Sequence, residues 1–201
     1  MRDREANRFK VLALDFDGVL TPRIGVDWPR VKKEASKLVG IEIASLLEFY
    51  RSYSGTEAFK KVSNFVKKYE VEAASKAELT PCMDELLEKA AMKGVKIYVA
   101  TLQAREPIQI FLRRYGLEKY VTKIVCREDF ADKRSMLAFI LKDAGVSPRE
   151  AIFVDDMYRN IKQCMELGLV CIRAERDKRK MVETVAKLLG LHIKCLESFG
   201  H

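Results

Sequence analysis

The chain has 201 residues and a mass of 23.1 kDa, the size of one domain or of one core domain with a modest insertion. With 48% hydrophobic and 33% charged residues it has a globular composition, which excludes a disordered chain. Its net charge of +8 is spread along the sequence without a basic tail, which argues against a nucleic-acid partner.

Four short apolar runs have the pattern of parallel strands that are buried on both faces. They lie at residues 11–14, 97–100, 151–154 and 169–172. Amphipathic stretches of helical length, each followed by a glycine, lie at residues 83–93, 106–115, 136–144 and 158–167. This alternation predicts an α/β fold, a Rossmann-like parallel sheet flanked by helices. Alternating apolar and polar residues at 191–196 predict one more edge strand.

Residues 22–80 interrupt this alternation, because they contain no comparable strand run. Their pattern predicts helices over residues 29–39, 42–53 and 57–68, the last with an extension toward residue 79. Asp27 and Thr56 are suited to be helix N-caps. We therefore predict a catalytic core made of residues 1–21 and 81–201, with an inserted α-helical domain over residues 22–80.

Membrane and secretory segments are not expected. No apolar run reaches the ~18–20 residues that a bilayer span requires. The start of the chain, residues 1–10, is charged and lacks the apolar stretch of a secretory signal. The sequence carries no signal for an oligomeric state.

Histidine and cysteine usage excludes several kinds of site. The only histidines, His192 and His201, lie in the last ten residues, which argues against a Ser-His-Asp triad, a Cys-His pair or a histidine zinc site. The cysteines are odd in number and form no C-x-x-C pair, so we expect buried, unpaired thiols rather than a disulfide framework. They are Cys82, Cys126, Cys164, Cys171 and Cys195. Unpaired cysteines predict a cytoplasmic location.

Acidic and hydroxyl side chains follow three of the predicted strands. Asp15, Thr101 and Asp155 each come directly after an apolar run. Because the carboxyl ends of parallel strands share one rim, where ligands bind in such folds, we expect these side chains to lie close together. Asp17 and Asp156 add two more carboxylates. Four carboxylates at one rim cannot all stay ionised without a cation, and oxygen ligands point to Mg²⁺.

Two further residues complete a site suited to phosphoryl transfer. Lys133 begins the helix before the strand at 151–154 and can supply a fixed positive charge, and Gly18 permits a tight turn after Asp17. In such a site one carboxylate attacks phosphorus and another protonates the leaving oxygen. Mg²⁺, a lysine, a hydroxyl and backbone N–H groups stabilise the phosphoryl oxygens.

The sequence DFDGVLT at residues 15–21, directly after an apolar strand, resembles motif I of the haloacid dehalogenase-like superfamily. Thr101, Lys133 and the segment FVDD at residues 153–156 resemble its second, third and fourth motifs, in the same order. The resemblance extends over about residues 9–175. Four motifs in register make it very specific.

The resemblance implies a role for each motif residue. Asp15 would be the nucleophile, and Asp17 the general acid and base. Thr101 and Lys133 would contact the phosphoryl group, together with the backbone at Gly18.

The resemblance also implies a Mg²⁺ site. The ion would be held by Asp15, the carbonyl of Asp17 and Asp155, with Asp156 as a ligand or holding a metal-bound water. Thr101 is followed by Leu102-Gln103, where many relatives carry Asn or Ser and then Gly. Substrate contacts at that position therefore stay open.

The expected function is a Mg²⁺-dependent phosphatase that hydrolyses a small phosphorylated metabolite through an aspartyl-phosphate. Residues 22–80 resemble the C1-type cap of the superfamily, which would close over the site. A 2-haloacid dehalogenase or a phosphomutase is the enzymatic alternative. Asp17 and the pair Asp155-Asp156 speak against a dehalogenase, because carbon–halogen displacement needs neither a metal nor an acid. A phosphate-receiver module or a nucleic-acid-binding module is the non-enzymatic alternative.

Overall fold

A computed structural model describes residues 8–197, which form a parallel sheet of five strands. The strands are β1 (Val11–Leu14), β2 (Lys96–Ala100), β3 (Val121–Val125), β4 (Ala151–Asp155) and β5 (Val170–Arg173). Their order across the sheet is β3-β2-β1-β4-β5, and all four pairings are parallel. The predicted Rossmann-like α/β fold is confirmed.

Helices connect and cover the strands. Within residues 8–197 they are α1 (Trp28–Val39), α2 (Leu46–Tyr53), α3 (Glu57–Lys76), α4 (Met83–Met92), α5 (Arg105–Arg114), α6 (Lys133–Ala144), α7 (Tyr158–Leu167), α8 (Lys178–Leu189) and the single turn α9 (Lys194–Glu197). Two short 3₁₀ segments precede β3 and β4, at Glu118–Tyr120 and Pro148–Glu150. None of the helices in this range is long and apolar enough to cross a membrane.

Alternate residues of the central strand point into two separate apolar layers. Leu12 and Leu14 belong to the layer that includes α4, α5 and α8, whereas Val11 and Ala13 belong to the layer with α6 and α7. A strand covered on both faces needs an uninterrupted apolar sequence. The apolar runs that predicted β1, β2 and β4 are therefore explained by their central place in the sheet.

The two edge strands and the C-terminal segment depart from the predictions. β3 was not predicted, because an edge strand carries exposed side chains such as those of Thr122 and Lys123. β5 was predicted to be buried on both faces, which is wrong, since its residues are only partly covered at the other edge. The strand predicted at 191–196 is also wrong. The Glu85 carboxylate accepts hydrogen bonds from the backbone N–H of Lys194 and Cys195 (2.9 and 2.8 Å), and this holds the segment as the helical turn α9.

The helices that precede α4 share an apolar cluster separate from both layers of the sheet. Residues of α1, α2 and α3 meet in it, among them Val31, Tyr50, Val62 and Val66. Asp27 caps α1 and Thr56 caps α3, as predicted. Because α3 also packs along α5, these helices lie against the core rather than apart from it.

The prediction that the cysteines are unpaired is wrong for four of the five. Cys82 bonds to Cys195 across 113 residues of sequence, and Cys164 bonds to Cys171 across seven. Cys126 is free and buried, as expected. A disulfide requires Cα atoms about 4.4–6.8 Å apart. The fold brings both pairs into that range (5.5 and 6.1 Å), which the spacing of cysteines along the chain does not reveal. The cytoplasmic location rested on unpaired thiols, so that argument no longer holds.

The two disulfides should contribute unequally to stability. Loop-closure entropy assigns about 5 kcal/mol to the Cys82–Cys195 bond and about 2 kcal/mol to the Cys164–Cys171 bond. We expect alanine at both positions of the first pair to lower the free energy of unfolding more than alanine at both positions of the second, measured by urea denaturation without reductant. With reductant, the differences from the parent protein should shrink. Equal losses, or free thiols at these positions in the oxidised protein, would contradict this expectation.

Candidate active site

Three predicted site residues lie at the carboxyl edge of adjacent strands. β1 is hydrogen-bonded between β2 and β4, and Leu14 is in register with both Val99 and Val154. Asp15 therefore follows β1 beside Asp155 at the end of β4, with the Asp15 N–H donating to the Val154 carbonyl (2.9 Å). Thr101 follows β2 and is buried. The sheet register thus places side chains from distant parts of the sequence at one rim.

Lys133 reaches this rim from the first residue of α6. Its Nζ donates to Oδ1 of Asp15 at 2.7 Å, lies 3.1 Å from Oδ2 of Asp155, and bonds to the Ala100 carbonyl. Burial opposes a charge on the lysine, but the two carboxylates outweigh burial and raise its pKa above the ordinary value. Lys133 is therefore a fixed, buried cation between two acids.

The pKa of the Asp15 carboxyl group is raised to about 7. Burial is the largest cause and the Asp155 charge contributes, while Lys133 acts in the opposite direction. One lysine therefore does not fully offset the burial of Asp15 and the charge of the neighbouring acid. A further positive charge at this point would keep Asp15 ionised at neutral pH.

Asp155 is fully buried and held by hydrogen bonds from α7. The Asn160 side-chain amide donates to both carboxylate oxygens (3.1 and 3.0 Å), and the Met157 N–H donates to Oδ1 (2.8 Å). These bonds fix the orientation of the carboxylate. Asn160 was not predicted, because a single asparagine four residues after an acidic pair has no distinguishing signal in the sequence.

Three of the predicted acids form a group that fits a divalent cation. Asp15, Asp155 and Asp156 each offer a carboxylate oxygen, and these oxygens lie within 4.8 Å of one another. Oxygen-only ligands of this charge suit a hard cation such as Mg²⁺. Burial also raises the pKa of Asp156, which the adjacent Asp155 charge reinforces. The site is thus short of positive charge at the place where a cation would bind.

Asp17 stands beside this group and is held by the segment that leads from β1 to α1. The Ile24 N–H donates to Oδ1 of Asp17 at 2.8 Å. Burial raises the pKa of Asp17, and the Asp156 charge adds to the shift. A carboxyl group that keeps its proton more readily than usual is suited to act as a general acid.

Gly18 is required by its close approach to Asp156. Its φ of +77° lies in the left-handed region, and a Cβ at this position would come within 2.5 Å of Oδ2 of Asp156. Its carbonyl accepts a hydrogen bond from Lys178 at 2.6 Å. The turn predicted after Asp17 is present, and it leaves no room for a side chain.

A cavity of about 360 Å³ lies over the rim, between residues close to the sheet and residues from positions 28 to 70. The core contributes Asp15, Asp17, Thr101, Leu102, Gln103, Lys133, Met157 and Asn160, and the residues between 28 and 70 contribute Trp28, Lys32, Ala44, Ser45, Leu46, Leu47, Tyr50 and Glu70. The first group brings Asp15, Asp17 and Lys133 to the cavity, whereas the second brings most of its apolar side chains. Gln103, at the position that sequence reasoning left open, is among its lining residues.

Comparison with known proteins gives one family and a consistent fold. A sequence profile described as haloacid dehalogenase-like hydrolase matches residues 22–174. A phosphoglycolate phosphatase from Synechococcus elongatus is 22% identical over 95 residues, which span 47% of this chain but only 45% of that protein. The solved structure of CbbY from Rhodobacter sphaeroides in complex with phosphate has a TM-score of 0.60 at 18% identity, covering 82% of this chain and 85% of that one. A 2-haloacid dehalogenase from Pseudomonas syringae pv. Tomato has a TM-score of 0.56 at 18% identity, with coverages of 82% and 86%. At 18% identity, the similarity of these two structures to this chain shows a shared fold.

Substituting Gly18 by alanine should move the Asp156 carboxylate and weaken the cation site. Gly25 is a matched control, because its φ of +79° carries the same backbone cost while nothing lies within 4 Å of an added Cβ. We expect Gly18→Ala to bind Mg²⁺ at least about tenfold more weakly than Gly25→Ala, as is usual when a metal site loses its alignment. Isothermal titration calorimetry measures both. Equal affinities would show that Asp156 does not depend on the glycine.

Proposed function

This chain belongs to the haloacid dehalogenase-like hydrolase family, and on that premise we propose that it is a Mg²⁺-dependent phosphatase of small phosphomonoesters. One observation carries the proposal. Asp15 combines a lysine at 2.7 Å with a group of carboxylates that fits a cation, at the edge of a cavity of metabolite size. The similarity to a phosphoglycolate phosphatase supports the same reaction class.

The reaction begins with attack of the Asp15 carboxylate on phosphorus, which breaks the bond to the ester oxygen and forms an aspartyl-phosphate. Lys133 remains charged next to Asp15 and offsets the negative charge of the phosphoryl oxygens. The Thr101 hydroxyl and the backbone at Gly18 would hold those oxygens. When bound, Mg²⁺ would be held by Asp15, the Asp17 carbonyl and Asp155, with Asp156 directly or through water, and would supply positive charge to the phosphoryl group.

Asp17 moves the proton in both halves of the reaction. Its raised pKa allows the carboxyl to donate a proton to the leaving ester oxygen, which departs as an alcohol. The resulting carboxylate then takes a proton from a water molecule that attacks the aspartyl-phosphate. This releases inorganic phosphate and returns Asp15 to its carboxylate form.

The helices between residues 22 and 80 would act as the cap of the site. Their side chains bound the cavity opposite the rim, so they would exclude water and contact the leaving group. A cavity of about 360 Å³ favours a small metabolite over a protein or a long nucleic acid. A dehalogenase would use neither the acid Asp17 nor the cation-fitting carboxylates, and therefore leaves these features unexplained.

Phosphate release tests the proposal directly. We expect the protein to hydrolyse p-nitrophenyl phosphate and some members of a phosphomonoester panel with Mg²⁺, and to lose activity when EDTA is added. Asp15→Asn should lower turnover by at least about 10⁴-fold, since it removes the nucleophile. Asp27→Asn is a matched control, because Asn caps a helix as well as Asp does. A folded protein that releases no phosphate from the panel, or that releases halide from 2-haloacids instead, would refute the function.

The role of Asp17 as an acid can be separated from a role in folding by the choice of leaving group. Nitrophenolate can leave without being protonated, whereas an alkoxide needs a proton as it leaves. In single-turnover experiments, Asp17→Asn should therefore slow cleavage of an alkyl phosphate about 10²-fold more than cleavage of p-nitrophenyl phosphate. The same loss with both esters would argue that Asp17 only supports the structure of the site.

A further inference from the structure

Two buried polar atoms face the cavity without a partner. Within the part of the chain that the structure describes, the Tyr50 hydroxyl and Oε1 of Gln103 are the buried side-chain polar atoms that make no hydrogen bond. Tyr50 is 2% exposed and Gln103 is 7% exposed, and both line the cavity. An unsatisfied buried group destabilises a fold, so such groups are rare and call for an explanation. Both atoms lie where a bound molecule would supply the missing partner.

A buried ion pair holds Tyr50 in position. The Arg127 guanidinium lies 5.1 Å from the centre of the Tyr50 ring. Arg127 donates to the Glu70 carboxylate at 2.6 Å and to the Ser63 hydroxyl at 2.8 Å, and all of these groups are buried. A ring packed against a guanidinium whose other contacts are fixed has little freedom to turn its hydroxyl elsewhere.

The two residues of this ion pair also hold the backbone at Gln103. The Gln103 backbone carbonyl accepts from the backbone N–H of Arg127 (3.3 Å), and the next residue, Ala104, donates its N–H to Oε2 of Glu70 (3.2 Å). The Gln103 N–H also donates to the Thr101 hydroxyl oxygen at 3.3 Å. Gln103 is thus tied to the residue proposed to hold the phosphoryl group, and its side chain belongs to the adjoining part of the cavity.

We infer that Tyr50 and Gln103 form the subsite for the leaving group, and that this leaving group carries a hydroxyl next to the phosphate ester. The inference rests on the proposed function. Oε1 of Gln103 only accepts hydrogen bonds, whereas the Tyr50 hydroxyl both donates and accepts. A ligand hydroxyl can donate to Gln103 and a ligand hydroxyl can accept from Tyr50, so a leaving group that carries hydroxyls can supply both missing partners.

Other leaving groups satisfy this subsite less well. A carboxylate has acceptors only, so it can accept from the Tyr50 hydroxyl but leaves Oε1 of Gln103 unpaired. A plain alkyl group leaves both atoms unpaired. Lys32, whose Nζ donates to the Ala44 carbonyl (2.9 Å), also lines the cavity and would have to recognise a carboxylate instead. The three chemistries are therefore distinguishable by experiment.

Ligand binding to the Asp15→Asn variant, with Mg²⁺ present, tests the subsite independently of turnover. The probes are glycerol 3-phosphate, propyl phosphate, which lacks its hydroxyls, and phosphoglycolate, which carries a carboxylate. We expect glycerol 3-phosphate to bind about tenfold more tightly than propyl phosphate, the size of effect that a hydrogen-bonded pair supplies. Adding Tyr50→Phe or Gln103→Met should remove most of this preference and leave propyl phosphate binding unchanged.

Tyr53→Phe is the matched control, because Tyr53 lies in the same helix as Tyr50 but is not among the residues that line the cavity. It should leave the preference intact. Tyr50→Phe should not lower the free energy of unfolding, since it removes a hydroxyl that has no partner in the fold. A large loss of stability in this variant would show that the hydroxyl has a structural role and would count against the subsite.

The possible results separate the two proposals. Hydroxyl-dependent binding together with no phosphate release from any ester refutes the phosphatase function but leaves the subsite supported. Turnover with equal binding of all three probes, or with a preference that Tyr50→Phe and Gln103→Met do not change, overturns the subsite alone. Tightest binding of phosphoglycolate, lost in Lys32→Met, would replace it with recognition of a carboxylate. Binding of none of the probes also overturns it.

Discussion

The site depends on the repulsion between three carboxylates, which offer oxygens that lie within 4.8 Å of one another. At an effective dielectric constant of about 20, two unit charges at that distance repel by about 3 kcal/mol. Lys133 contacts two of the acids directly and stays charged because of them, yet the pKa of Asp15 remains raised to about 7. Further positive charge at this point would reduce the repulsion among these acidic side chains.

Interactions away from the rim hold these acids close together. β1, β2 and β4 are almost entirely apolar and are covered on both faces, so burial of their side chains fixes the strand register. The residues at the strand ends then have fixed positions whatever their charge. Asn160 adds hydrogen bonds to Asp155, and the missing side chain of Gly18 leaves space for Asp156. The buried strands supply the stability, so the residues at the rim can be chemically reactive without having to stabilise the fold.

Prediction from the sequence succeeded where a local pattern has one usual structural cause. A continuous apolar run is typical of a buried strand, which led to β1, β2 and β4 and to the polar residues that follow them. Prediction from the sequence failed where a feature depends on tertiary contacts. The partly exposed strands β3 and β5 depend on their place at the sheet edges, and the pairing of Cys82 with Cys195 depends on how α4 and α9 meet. Arg127 and Glu70 lie 57 residues apart and look like ordinary surface charges in the sequence.

That ion pair joins the two parts of the cavity. Arg127 follows β3 of the core, whereas Glu70 and Ser63 belong to α3, and both charges also bond to the backbone between Leu102 and Ala104. Because that backbone follows Thr101, the position of α3 is coupled to the position of a residue at the rim. A buried pair of this kind is costly to break from one side, since either partner alone would be an uncompensated charge. Helix α3 and the rim are therefore held in one relative arrangement, in which the acids and the lysine of the rim share a cavity with the unpaired Tyr50 hydroxyl and Gln103 amide oxygen. A molecule that matched the whole cavity would need an anionic group for the lysine and a bound cation, and a hydrogen-bonding group for Tyr50 and Gln103.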